Sequence, residues 1–271
     1  MQLPKLVVFD VDGTLIDWDG VVSDHTHRVL RQLRAAGVPI ALATGRPLAI
    51  AEQTLEHVGG ADWIACGNGS ALVEVAGWNM LRDRSLPQEL IAPVVTTMRE
   101  WLPGIGTAIE VADLVIEERG FSRRVPEELM IEPVRDALAA LQAHGGAARR
   151  LIFFHDQFDE RLDELALLVE GTVDHRCQVQ FGGLPIVDVS PYGDHKAIAL
   201  QELVDHLGID AADVIAFGDG SNDVEMLEWA GIGVAMGNAR DVLKDVADEV
   251  TDDVDQRGIS AFLDPLLAPY L

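Results

Sequence analysis

Leu6-Val7-Val8-Phe9-Asp10-Val11-Asp12-Gly13-Thr14-Leu15 is an apolar run that ends abruptly in two carboxylates, a glycine and a threonine. A continuous apolar run, as opposed to an alternating one, reads as a strand covered on both faces, the kind found in parallel sheets. Leaving an unpaired charge at the end of such a strand costs on the order of several kcal/mol. Asp10 and Asp12 are therefore expected to share a cation or to react.

The neighbouring segments extend the pattern. SDHTHRVLRQLRAAG, residues 23–37, offers Ser23 or Asp24 as an N-cap, an apolar stripe of Val29, Leu30, Leu33 and Ala36, and Gly37 as a stop. PIALATGRP follows as a second buried strand ending at Thr44, then a helical stretch near 47–58 and a third strand, WIACG. The far end repeats this order: IVDVS, a helix from Asp194 to His206, VIAFGD, a helix around 221–230, and GIGVAM. Strands alternating with amphipathic helices predict an α/β, Rossmann-like core, a parallel sheet with helices on both faces. Its expected extent is 1–79 and 183–271. Between these parts, 80–182 reads as helix, two adjacent strands near 105–118, helix, strand, helix and strand, which predicts an inserted α+β domain.

In open parallel sheets ligands bind beyond the carboxyl ends of the strands. Asp10, Thr44 and Asp219 each follow an apolar strand, so this fold brings them to one edge.

The composition narrows the partners. A formal net charge of -25 over 271 residues argues against nucleic acid and anionic membrane as partners. An anionic substrate then needs local positive groups, and lysine occurs only at Lys5, Lys196 and Lys244. Cys66 and Cys177 form no CxxC pair or disulfide framework, which predicts a reducing, cytoplasmic setting. The first residues carry no apolar stretch fit for a secretory signal, and no run is long enough to span a bilayer. The oligomeric state is left open.

The residues suggest phosphoryl transfer. A carboxylate attacking phosphorus splits one difficult displacement into two easier ones, and Asp10, at the strand end, is the candidate nucleophile. Asp12, two residues on, is the candidate general acid and base. Magnesium, which prefers oxygen ligands, would be held by Asp10, Asp12 and Asp219. Lys196, opening a helix, would set an ammonium beside the phosphoryl oxygens. Thr44, Gly45 and Arg46, with Asn222, are the other phosphate-binding candidates, and Asp223 would orient Lys196 or a metal-bound water from behind.

Other patterns read as structural. His25 with His27, and His175 with Cys177, lack a complete zinc ligand set. GIGVAMG has the wrong spacing for a dinucleotide loop, and no GxxxxGK[ST] loop is present. Arg119, Arg123 and Arg124 are either readers of substrate anions or solubilising surface groups.

DVDGTL at Asp10, ATGRP at Thr44, Lys196 in SPYGDHKAIAL and GDGSNDVEML from Gly218 together resemble the haloacid dehalogenase (HAD) superfamily, subclass IIB, the Cof-type phosphatases. GNGS at Gly67 and GVAMGNA at Gly233 resemble later signatures of that family. The resemblance implies a nucleophilic Asp10, an Asp12 that also meets magnesium through its carbonyl, Asp219 as metal ligand, and Thr44, Lys196 and Asn222 on phosphate. It also implies that the insert is a C2-type cap, since only some thirty residues separate Asp12 from Thr44. The reaction implied is hydrolysis of small phosphorylated metabolites. A phosphomutase or a non-catalytic binding protein on the same fold are the alternatives. Ala197 departs from the glycine that many relatives carry after the lysine.

Overall fold

The computed structural model describes residues 3–112, 114–123, 131–182 and 184–270. Arg124, a possible anion reader, and Gly183, where the second half of the core was expected to start, lie outside them. The chain divides into two compact units: residues 1–46, 51–82 and 195–271 form the first, and residues 47–50 and 83–194 the second.

The first unit begins with β1 (Leu6–Phe9), fully buried, and α1 (Asp24–Ala35). Ser23 is the N-cap, its hydroxyl accepting from the Thr26 amide, and the chain leaves the helix through Gly37 at φ 72°. Next come β2 (Ile40–Ala43), α2 (Ala51–Val58) and β3 (Trp63–Cys66). The chain then adds β4 (Ala71–Glu74), antiparallel to β3, and β5 (Asn79–Asp83) beyond it. The sheet is thus parallel with an antiparallel end. Gly67, Asn68 and Gly69, all at positive φ, reverse the chain after β3.

The second unit holds α3 (Gln88–Trp101), β6 (Gly106–Glu110), β7 (Val115–Glu117), β8 (Ile131–Pro133), α4 (Ala137–Ala143), β9 (Arg150–Phe154), α5 (Leu162–Glu170), β10 (Cys177–Gly182) and β11 (Leu184–Pro191). Its sheet runs in the order β10-β11-β9-β6-β7-β8. Ile91, Val95, Met98, Leu141, Leu165 and Val169 from the three helices pack on Ile109, Leu151, Phe153, Val187 and Val189 of the strands. Glu110, buried in β6, accepts from Arg150 at 2.6 Å, and Arg150 also faces Asp188 at 3.6 Å.

IVDVS, expected in the parallel core, lies here instead, within β11 and antiparallel to β9 and β10. An apolar run does not reveal its partners. β10 and β11 are consecutive in the chain and pair antiparallel, with Gly182 opposite Leu184, and such local pairing costs little loop entropy.

The chain returns to the first unit with α6 (Lys196–Leu207), β12 (Val214–Gly218), α7 (Val224–Trp229), β13 (Ile232–Ala235), α8 (Asp241–Lys244), β14 (Glu249–Val250) and α9 (Ile259–Leu267). The order across its sheet is β14-β13-β12-β1-β2-β3-β4-β5, with β12, β1 and β2 adjacent and parallel. Phe9 stacks on Phe217 at 5.2 Å, and Phe262 of α9 meets Phe217 edge-on at 5.7 Å. These rings brace the two strands whose ends carry Asp10 and Asp219. No helix among the described residues is long and apolar enough to cross a membrane.

Candidate active site

Asp10, Asp219 and Thr44 directly follow β1, β12 and β2, so three adjacent parallel strands end together on one edge, as the strand pattern predicts. Asp10 is 5% exposed, Asp219 6%, and Asp223 and Lys196 are fully buried. Carboxylate oxygens of Asp10, Asp219 and Asp223 lie within 4.8 Å of one another.

Lys196 balances part of that charge. Its Nζ donates to Asp10 Oδ1 at 2.5 Å and to Asp223 Oδ1 at 2.6 Å. Asp223 Oδ2 accepts the amides of Asp219 at 3.0 Å and Gly220 at 2.9 Å, so this side chain both holds the lysine and ties its own turn. Burial opposes the charge on Lys196, but Asp10 and Asp223 outweigh it and raise the ammonium's pKa. Burial, with the charges of Asp223 and Asp219, pushes Asp10 well above the usual carboxylate range, against the pull of Lys196. Asp219 rises to about 7, through burial first and Asp223 next.

These shifts bear on a metal. Three buried carboxylates share one ammonium, and an all-oxygen donor set with surplus negative charge fits a hard divalent cation such as magnesium. The glycines allow this density: a Cβ on Gly13 (φ 85°) would collide with the Asp219 carboxylate, and one on Gly218 would meet the Asp223 side chain at 2.6 Å. Thr14 Oγ1 also donates to Asp219 Oδ1, at 3.3 Å.

Asp12 stands outside this carboxylate group. Its side chain is half exposed and accepts a fork from Arg46, Nε to Oδ2 at 2.9 Å and Nη2 to Oδ1 at 2.7 Å. Arg46, a phosphate-binding candidate by sequence, thus holds the acid/base candidate, and its Nη1 also donates to Thr54 Oγ1 at 3.2 Å.

Thr44 is 1% exposed and fixed on both sides, its amide bonded to Ala65 and its carbonyl accepting from Asn68. Its hydroxyl accepts the Arg46 amide at 3.0 Å and keeps its own proton to donate. Asn222 donates to Asn68 Oδ1 at 3.0 Å, and Gly45 lies against the same asparagine, where an added Cβ would stand 3.2 Å from Oδ1. Asn68 therefore links the loops bearing Thr44 and Asn222. The sequence reading noted GNGS but gave Asn68 no role; the signal was an asparagine between two glycines after a strand, a left-handed turn at φ 53°.

A family model described as haloacid dehalogenase-like hydrolase matches residues 7–263. The chain belongs to this family of hydrolases. A Yersinia pseudotuberculosis protein described as an HMP-PP phosphatase is 30% identical, over 98% of this chain and 97% of its own length. The putative phosphatase YkrA of Bacillus subtilis is 28% identical over 94% and 95%. Among solved structures, BT1666 of Bacteroides thetaiotaomicron matches with a TM-score of 0.79 at 26% identity, covering 99% of this chain and 96% of the other. The HAD subclass IIB sugar phosphatase BT4131 matches at 0.78 and 25% identity, over 98% of this chain and 100% of the other. The Cof-type resemblance read from the motifs thus holds over nearly the whole chain.

Proposed function

We propose that this hydrolase is a magnesium-dependent phosphatase of small phosphorylated metabolites, sugar phosphates among them, working through an aspartyl-phosphate on Asp10. The observation that carries this reading is the placement of Asp10: buried at the end of β1, held by Lys196, and grouped with Asp219 and Asp223. The HMP-PP phosphatase and sugar phosphatase relatives support the substrate class.

Asp10 and Asp219, with the Asp12 carbonyl, would hold magnesium, which supplies positive charge that draws the phosphate in and screens the nucleophile. An Asp10 oxygen attacks phosphorus as the bond to the leaving oxygen breaks, and Asp12 gives that oxygen a proton. Asp12, now ionised, takes a proton from water, whose oxygen attacks phosphorus; the bond to Asp10 breaks and phosphate leaves. Lys196, Thr44, Gly45 and Asn222 hold the phosphoryl oxygens, with Lys196 closest to the charge that develops. Asp223 braces Lys196 and the Asp219 turn. Arg46 moves from Asp12 to the arriving phosphate, which offers the same forked acceptor geometry. Cys66 and Cys177 are both buried and are not joined in a disulfide, in keeping with a cytoplasmic setting.

Phosphate release across a panel of phosphorylated metabolites, with and without magnesium and with Asp10→Asn as blank, tests this reading. Release that needs magnesium and vanishes in the variant is expected. Full activity in Asp10→Asn would remove the nucleophile, and turnover unchanged by a chelator would remove the metal.

A further inference from the structure

The segment GVAMGNAR, residues 233–240, supplies no group to the chemistry above, yet it bonds to both acid-bearing loops. On one side it holds the loop after β12 by main chain, with the Met236 amide donating to the Gly218 carbonyl at 2.9 Å and the Arg240 amide to the Asp219 carbonyl at 3.3 Å. On the other it holds the loop after β1 by a single side chain: Asn238 Nδ2 donates to the Gly13 carbonyl at 2.8 Å. Asn238 Oδ1 in turn accepts the Val254 amide at 2.9 Å, which anchors the side chain from behind.

A side-chain amide donates at one atom and accepts at another without carrying charge, so it can join a carbonyl to an N–H across a gap. Gly13 lies one residue from Asp12 and three from Asp10, and a Cβ there would strike Asp219. The spacing between Gly13 and Asp219 is therefore also the spacing between the two carboxylate-bearing loops. Like charges on those loops push them apart. Asn238 resists that push on the β1 side, as the backbone of Met236 and Arg240 does on the β12 side.

We propose that Asn238 is a positioning residue: by clamping Gly13 to the segment that also holds the carbonyls of Gly218 and Asp219, it sets the separation of Asp10 from Asp219 and so the affinity of the site for a divalent cation. The inference rests on reading these carboxylates as a cation site. Magnesium demands near-octahedral geometry, so a small spreading of the loops weakens binding, and losing such supporting groups typically costs about 10–100-fold in metal affinity or activity.

The test uses the full chain, stripped of metal, with Mn2+ as probe and its binding read by electron paramagnetic resonance. Asn238→Ala and Asn238→Leu are compared with the wild type and with Asp219→Asn, and urea unfolding checks the fold. The expected result is an Mn2+ Kd raised about 10-fold or more in both Asn238 variants. Their kcat for p-nitrophenyl phosphate should fall by a similar factor, with KM little changed. A folded Asn238 variant with wild-type Mn2+ affinity overturns the inference while leaving the cation site intact. So do two variants that fail to fold, because Asn238 then carries the fold and not the spacing. Wild-type protein that binds no Mn2+, or Asp219→Asn that binds it unchanged, refutes the cation reading itself and this inference with it.

Discussion

Replacing Lys196 with methionine keeps most of its length and removes its charge amid a buried group of three carboxyls. The lysine is fully buried, and its ammonium makes two charge-assisted bonds, 2.5 Å to Asp10 and 2.6 Å to Asp223. Hydrogen bonds to charged groups contribute about 1.5–3 kcal/mol each, so the pair contributes about 3–6. A second route limits the loss. With the ammonium gone the cluster can take up a proton, and moving a carboxyl from its ordinary pKa near 4 to the neutral form at about pH 7 costs roughly 4 kcal/mol. Lys196→Met should therefore lose about 3–4 kcal/mol at neutral pH, measured by urea denaturation of metal-free protein. The loss relative to wild type should shrink by about 1.4 kcal/mol per pH unit, to about 2 kcal/mol near pH 5.5, as protonation becomes cheaper. Magnesium should restore part of it by replacing the missing positive charge. A loss under about 1 kcal/mol, or one independent of pH, would refute the view that Lys196 neutralises buried carboxylates.

In metal-free wild-type protein, the pKa of Asp219, raised to about 7, means that the folded state holds a proton the unfolded state has already released. Stability should fall as pH rises from about 4 to about 7, and saturating magnesium should flatten that slope, as urea midpoints across the range will show. In the second unit, Arg150→Met leaves Glu110 and Asp188 without their cation and should cost about 3–5 kcal/mol in the same assay. An unchanged urea midpoint would mean that Glu110 is held well enough by the Leu48 amide it also accepts.

The strands that carry the chemistry can be read from the residues alone. LVVF, IALA and VIAFG are short, continuous apolar runs ending in polar residues, and their shortness and the polar residues that stop them mark them as strands buried on both faces. Adjacency of their ends follows from that architecture, so Asp10, Thr44 and Asp219 were legible in advance. Tertiary structure alone decided which sheet took IVDVS, because an apolar run carries no mark of its partner and a neighbouring hairpin strand captured it. It also decided the partners of charged side chains. Asp12 is engaged by Arg46, and Asp223 lies among the carboxylates. Asn68 and Asn238 bridge loops far apart in the chain. Such pairings depend on distances of a few ångströms between segments distant in sequence, and spacing along the chain records the residues without recording which of them meet.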